Sequence, residues 1–143
     1  MTDKTIFSLI PHRPPFLWVD RIVSLAEDVI ETEKTFDEGL EVFTGHYPGN
    51  PIMPGVLLCE AIFQSGALLL AKSLQQPGDQ QKIPVLTKII NARFKRRVLP
   101  GETLTIRVKL VETISSVCIL KGSARVAGEL AVKTEFSCAL TDA

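Results

Sequence analysis

Two ionisable residues in one short stretch of the sequence are of the types that acid–base chemistry uses. The stretch FTGHYPGNPIMPGVLLCE, residues 43–60, holds His46 in a run of Pro and Gly and ends with Glu60 among apolar residues. Histidine takes up and releases protons near neutral pH, and burial among apolar residues raises the pKa of a carboxyl group, so that it can stay protonated. A neutral base facing a protonated acid suits the elimination of water, because one removes a proton and the other protonates the departing hydroxyl.

The neighbours of this pair supply further groups. Gly55 is expected to begin a helix, where its N–H would favour negative charge developing on a carbonyl oxygen. Gln64 lies one turn after Glu60 on nearly the same face, so we expect it to orient Glu60 or to line a pocket. Tyr47 is expected to pack close enough to His46 to touch the pocket wall. The alternative is structural: the histidine would hold a turn, and the glutamate would pair with an arginine elsewhere in the chain.

Composition is that of an ordinary globular protein. Residues 1–143 are expected to form one domain, since 45% hydrophobic and 22% charged residues are close to the globular average. Sixteen basic residues balance sixteen acidic ones, which gives no overall reason to expect nucleic acid. No secretory signal is evident at the N-terminus. The most apolar window, residues 56–70, contains polar side chains and is too short for a membrane span.

The sequence does not indicate metal or disulfide chemistry. Cys59, Cys118 and Cys138 are scattered and form no CxxC pair, which predicts reduced thiols in a cytoplasmic protein. His12 and His46 lack a third ligand at a suitable spacing for a metal. We therefore expect His12 to have a structural role in its turn.

The hydrophobic pattern predicts an antiparallel sheet and one long helix. Thr2 or Asp3 is expected to cap the first helix, which the PHRPP sequence stops. The expected elements, in chain order, are a short helix ending near Ile10, strands over residues 17–25 and 29–36, a helix from Val56 to about Leu74, and four strands with period-two alternation from Val85 onward. Turns are expected near residues 100–101 and 127–128.

These elements predict an α+β fold in which an antiparallel sheet wraps around one long central hydrophobic helix. The helix is apolar nearly all round, which is typical of a helix enclosed by the rest of the fold. Because one sheet covers only part of such a helix, a second copy of the chain is expected to help cover the remainder.

Four blocks of the sequence resemble, in the same order, those of the (3R)-hydroxyacyl-[acyl-carrier-protein] dehydratases of type II fatty acid synthesis. The blocks are PHRPPFLWVDRI, GHYPGNPIMPGVLLCEAIFQSG, ARFKRRVLPGETL and LKGSARVAGELAVKTEFSCAL. The second is the most specific, because it combines the GHYP and PIMPG sequences with a glutamate in the following helix. The resemblance implies the hot-dog fold and reversible dehydration of a (3R)-hydroxyacyl thioester to the trans-2-enoyl thioester. It implies no cofactor, the substrate being carried on the phosphopantetheine of acyl carrier protein.

The resemblance also implies roles for individual residues. His46 matches the family's catalytic histidine, and Glu60 matches the catalytic glutamate, which the partner subunit of a dimer contributes. Gly55 matches the glycine whose amide holds the thioester carbonyl. The implied assembly is a homodimer, or a trimer of such dimers. Related dehydratase–isomerases have Asp in place of Glu60, so the glutamate favours dehydration without isomerisation.

The sequence departs from the family pattern around the expected acyl tunnel. An aromatic gate is common at Val85, Gly and Asp are typical near Lys88 and Ile90, and Pro is usual at Arg97. In the helix, Ile, Ala and Ala are common at the positions of Cys59, Phe63 and Ser65. These departures bear on the shape of the tunnel and so on the preferred chain length.

Four cations lie within five residues of the sequence, at positions 93–97. Two alternatives are open for Arg93, Lys95, Arg96 and Arg97. They form either a solvated strand face with Phe94 turned inward or a binding patch for an acidic carrier protein and its phosphopantetheine phosphate.

The alternatives to a dehydratase are a hot-dog thioesterase, in which the glutamate would activate water, and a non-catalytic acyl-carrier-binding homologue.

Overall fold

The structure, a computed structural model, describes residues 3–73 and 82–142. Its elements are α1 (Lys4–Leu9), β1 (Arg21–Leu25), β2 (Val29–Thr35), α2 (Val42–Gly45), α3 (Gly55–Ser73), β3 (Lys82–Phe94), β4 (Thr103–Ile114), β5 (Val117–Val126) and β6 (Glu129–Asp142). The expected helix cap is confirmed at Asp3, whose carboxylate accepts a hydrogen bond from Thr5 N. Thr2 and Leu74 lie outside the described residues.

The strands form one antiparallel sheet in the order β1-β2-β4-β5-β6-β3. Helix α3 packs against β2, β3, β4, β5 and β6, because the alternating apolar residues of the strands face it. The clearest alternation is in β5, where even-numbered residues from Cys118 to Val126 are buried and the odd-numbered residues are not. The expected antiparallel sheet around one long helix is therefore confirmed.

Helix α3 is the core of the fold. By length and composition, Gly55–Lys72 could cross a membrane, but 72% of this segment is buried inside the protein. The helix approaches the sheet closely at Gly122, where an added Cβ would collide with the side chain of Ile62. Its buried Ser65 hydroxyl is satisfied by Thr32 Oγ1 and by the carbonyl of Ala61, each at 2.8 Å.

The structure differs from the prediction at the start of the first strand and by one additional short helix. The first strand begins at Arg21 rather than residue 17, because Trp18 N donates its hydrogen bond to the Gln64 side chain instead of a neighbouring strand. Helix α2 was not predicted. It has only four residues and no side-chain cap, so the sequence carries little helix signal there.

Strand β3 forms one edge of the sheet and pairs only with β6 among the described strands. An edge strand with exposed apolar side chains is a site for pairing with another strand. The exposed apolar residues of β3 are Val85, Leu86, Ile89, Ile90 and Phe94.

Candidate active site

His46 is held directly after α2 with one ring nitrogen engaged. Its backbone N–H donates to the carbonyl of Val42 at 3.0 Å, and its Nδ1 lies 2.8 Å from the carbonyl oxygen of Ile52. A carbonyl oxygen can only accept, so Nδ1 carries a proton, and in the neutral ring Nε2 then holds the lone pair. The tautomer therefore gives a base at Nε2.

The His46 cavity has a volume of about 620 Å³ and combines apolar and cationic side chains. Tyr47 stands at its wall as expected, with its ring centroid 4.5 Å from that of His46. Tyr47 has a φ of 63°, a conformation that is uncommon for a bulky residue. The lining residues are His46, Tyr47, Ile52, Met53, Gly55, Leu58, Phe94, Lys95, Arg96 and Arg97.

Gly55 is the first residue of α3 and lines the same cavity. The N–H groups of the first helical turn have no intrahelical acceptor, so this amide can bind a ligand oxygen. An added Cβ at Gly55 would lie 2.7 Å from the ring of Phe94. A larger residue at position 55 would therefore displace the Phe94 ring from its place over the start of the helix.

Glu60 lies on α3 and is held by Gln64. The Gln64 Nε2 donates to Glu60 Oε2 at 3.0 Å and to the Phe16 carbonyl at 3.1 Å, while its Oε1 accepts from Trp18 N at 2.7 Å. Gln64 is 1% exposed, so its amide is fixed on three sides. Gln64 therefore bonds Glu60 and also lines the same cavity, and its part in the chemistry stays a prediction.

The environment of Glu60 is more polar than its sequence neighbours suggest. Its side chain is 23% exposed, and His12 Nε2 lies 3.9 Å from its Oε2. Within residues 3–73 and 82–142, no arginine forms an ion pair with Glu60, so the structural alternative of a Glu60–Arg pair does not hold there.

His12 lies beside Glu60 and lines the same cavity, in addition to the structural role in a turn that its sequence predicts. Arg13 holds this segment by donating to the carbonyls of Phe7, Ile10 and His12. The Nδ1 of His12 is buried and has no hydrogen-bond partner in the described part of the chain. Because His12 and Glu60 are 48 residues apart, no local pattern could reveal their contact.

The Glu60 cavity has a volume of about 290 Å³ and is mostly apolar. Burial, followed by the proximity of Cys118 and Glu60, raises the pKa of Cys138 in its wall to about 12. This thiol is therefore protonated at neutral pH and is not a nucleophile. The lining residues are Pro11, His12, Glu60, Phe63, Gln64, Ala67, Ile83, Pro84, Val85, Leu86 and Cys138.

The two cavities share no lining residue, so His46 and Glu60 do not face one common cavity within a single chain. The Glu60 cavity adjoins the beginning of β3, from Ile83 to Leu86, and the His46 cavity adjoins its last residue, Phe94. The two groups thus lie towards opposite ends of the same edge strand.

The cations of residues 93–97 differ in whether they form ion pairs within the chain. Arg96 forms hydrogen-bonded ion pairs with Glu102 at 2.8 Å and Glu129 at 3.2 Å. Hydrogen bonds from Arg96 hold the pKa of Glu102 below its usual value, and the same bonds raise the pKa of Arg96. Arg96 is therefore engaged within the chain, whereas Lys95 and Arg97 are exposed.

Arg93 and Phe94 differ from the expectations for this cluster. Lys95, Arg96 and Arg97 line the His46 cavity, but Arg93 does not. Phe94 is 53% exposed, so the alternative in which it turns inward is wrong. Its ring instead covers Gly55.

Residues that depart from the family pattern line both cavities. Val85 and Phe63 line the Glu60 cavity, and Arg97 lines the His46 cavity. Lys88 and Ile90 are exposed residues of β3. Across the described ranges, no three His, Cys, Asp or Glu side chains come together in a group that could hold a metal ion.

Comparisons with solved structures show the fold. The chain superposes on the dehydratase heterocomplex ApeI:P from Xenorhabdus doucetiae with a TM-score of 0.82 and 12% identity, over 96% of this chain and 91% of that one. A hypothetical thioesterase with coenzyme A from Streptococcus pneumoniae gives a TM-score of 0.66 at 16% identity, covering 85% of each chain. The expected hot-dog fold is thus confirmed.

Comparisons of sequence identify the family. The FabA-like domain matches residues 10–135. The chain is 41% identical to the 3-hydroxyacyl-[acyl-carrier-protein] dehydratase FabZ of Aromatoleum aromaticum, over 98% of this chain and 97% of that protein. It is 44% identical to the enzyme of that name from Chloroflexus aggregans, over 99% and 97%. With this agreement over nearly its whole length, the chain belongs to the FabA-like family and is grouped there with the FabZ dehydratases.

Proposed function

We propose that this protein is a hydro-lyase that reversibly converts (3R)-hydroxyacyl-acyl carrier protein to trans-2-enoyl-acyl carrier protein in fatty acid biosynthesis. The observation that carries this function is the identity of 41% and 44% with FabZ dehydratases over nearly the full chain. A hypothetical thioesterase is similar to it at 16% identity, which concerns the fold alone. Carrier protein as the partner and a cytoplasmic setting are part of the proposal.

His46 is the base of the proposed reaction. Its Nε2 takes the proton from the carbon next to the thioester carbonyl, and the Ile52 carbonyl stabilises the resulting imidazolium through Nδ1–H. The Gly55 N–H donates to the thioester oxygen as negative charge develops on it. The two groups line one cavity, which supports their action on adjacent atoms of the substrate.

Glu60 is the acid of the proposed reaction. Its carboxyl proton moves to the 3-hydroxyl as the carbon–oxygen bond breaks, which leaves the carboxylate and a water molecule. Gln64 fixes the orientation of the carboxyl group through its hydrogen bond at 3.0 Å. The proton that His46 gains and the proton that Glu60 loses balance, so a net transfer from one to the other through water resets the site.

The two groups meet in this proposal across a dimer formed through β3. If two copies pair antiparallel along this edge, the beginning of one β3 lies beside the end of the other. The Glu60 cavity of one copy then adjoins the His46 cavity of its partner, twice in each symmetric dimer. The exposed apolar residues of β3 support this pairing. A trimer of such dimers stays a prediction from the resemblance.

Lys95 and Arg97 form the proposed contact with the acidic carrier protein. Replacing both by glutamate is expected to raise KM for carrier-bound substrate by about tenfold or more, because steering by complementary charge is lost. Small thioester analogues of the same acyl group should keep their KM. Steady-state kinetics with both substrates measures the difference.

The double variant Lys109→Glu with Lys121→Glu is the matched control, since both residues are exposed cations of β4 and β5 that line neither cavity and lie outside the proposed dimer edge. Arg96 is left unchanged because its ion pairs with Glu102 and Glu129 are internal. An equal rise in KM for carrier-bound and small substrates would contradict the proposed contact.

The activity is tested by incubating the protein with a 3-hydroxyacyl thioester of acyl carrier protein. A dehydratase is expected to produce the absorbance of the enoyl thioester without releasing free thiol. Release of thiol with no enoyl product would indicate a thioesterase. Binding of the carrier without either product would indicate a non-catalytic homologue.

A further inference from the structure

One face of α3 extends from Glu60 into the interior of its cavity. Glu60, Phe63, Gln64 and Ala67 are spaced three and four residues apart, which places them on the same side of a helix. All four line the Glu60 cavity. The distance from Glu60 to Ala67 along the helix axis is about 10 Å, at 1.5 Å per residue.

The cavity has an open side and a closed side. Val85 and Leu86 of β3 are exposed and border the open side, whereas Ala67, Phe63 and Cys138 are buried and form the inner wall. Phe63 is the largest of these inner side chains and is 8% exposed. Its ring therefore takes up space that would otherwise belong to the cavity.

The ring of Phe63 packs against a second aromatic ring in the core. Its centroid lies 4.8 Å from that of Phe136, which is fully buried. Gly66 lets the Phe136 ring lie close to the helix, since an added Cβ at Gly66 would lie 3.0 Å from that ring. Because the interior is close-packed, Phe63 cannot withdraw without displacing these neighbours.

The position of Phe63 matters for any acyl group whose hydroxyl reaches Glu60. Carbons beyond the hydroxyl-bearing carbon must continue past Glu60, and the apolar space available there runs beside the Phe63 ring towards Ala67. A cavity of about 290 Å³ is at the small end for sites that bind organic ligands. Extra methylenes would then meet an aromatic ring that cannot withdraw into the core without displacing Phe136.

We propose that Phe63 determines acyl-chain specificity by limiting the length of chain that fits behind Glu60, so that the protein prefers short (3R)-hydroxyacyl groups. This inference rests on the proposed dehydratase function. A smaller residue at position 63 extends the cavity towards Phe136, and longer chains then gain apolar surface for burial.

The test compares Phe63→Ala and Phe63→Leu with the unchanged protein on 3-hydroxybutyryl, 3-hydroxydecanoyl and 3-hydroxypalmitoyl thioesters. The ratio of kcat/KM for the palmitoyl to the butyryl substrate is expected to rise about tenfold or more in Phe63→Ala, the scale on which apolar pockets discriminate methylenes. Phe63→Leu should shift the ratio in the same direction by less. A general loss of packing would lower both rates without changing their ratio.

Leu69→Ala is the matched control. Leu69 is a buried residue of the same helix, lies opposite Glu60 and does not line the cavity. The Leu69→Ala variant should therefore keep the wild-type ratio of kcat/KM for the palmitoyl to the butyryl substrate. If the unchanged protein dehydrates the substrates but neither Phe63 variant shifts the ratio, the role of Phe63 is wrong. If the unchanged protein dehydrates none of them, the proposed function fails, and this inference fails with it.

Discussion

His46→Ala is expected to lower kcat by about 10²–10⁴-fold, the contribution that positioned proton transfer typically makes. Glu60→Gln should have an effect of similar size, because the amide keeps the shape of the carboxyl group but has no acidic proton to give. Both rates are measured as formation of the enoyl thioester, together with thermal unfolding to show that the fold is intact.

Glu41→Gln provides the control for this pair of variants. It makes the same carboxyl-to-amide change at an exposed residue that has no side-chain capping bond and lines neither cavity, so turnover should stay near the wild-type rate. Near-normal enoyl formation by both His46→Ala and Glu60→Gln would show that the proposed mechanism is wrong.

A hybrid dimer of one His46→Ala chain and one Glu60→Gln chain is expected to recover about half of the wild-type rate, although each variant alone is inactive. If each site takes its histidine from one chain and its glutamate from the other, one of the two sites in this hybrid is intact. The hybrid can be purified by placing a different affinity tag on each chain, and its rate is measured per dimer.

The reciprocal hybrid should give the opposite result. When one chain is wild type and the other carries both substitutions, every shared site lacks one of its two groups, and turnover should be lost. A site contained within a single chain would reverse the two outcomes, with the first hybrid inactive and the second half-active.

The sequence predicted those parts of the fold that depend on local patterns. The long apolar run predicted α3 to within two residues at its start and end, and the period-two alternation predicted β4 to β6. The alternation does not hold in β3, whose residues are mostly exposed. Burial of α3 and of β4 to β6 depends on their own hydrophobic residues, so the pattern contains the information. The positions of Gln64 and Tyr47 near the two ionisable residues could also be anticipated locally. Gln64 follows Glu60 by one helical turn, and Tyr47 follows His46 directly.

The sequence could not predict contacts that join distant segments. The approach of His12 to Glu60 and the ion pairs of Arg96 with Glu102 and Glu129 depend on how the chain folds back on itself. Position 17 looked like the start of a strand because Leu17, Trp18 and Val19 are apolar, yet these residues are buried outside the sheet. The proton position on His46 likewise depends on the Ile52 carbonyl.

The apolar edge of β3 also has a consequence for a newly made copy of the chain. Before the proposed dimer forms, such a chain exposes unpaired backbone groups beside Ile89 and Ile90, and any other extended strand can bind there. Dimer formation and aggregation would then compete for the same edge of β3, and only dimer formation would bring the His46 and Glu60 cavities together. By mass action, both the stability and the specific activity of the protein would fall on dilution.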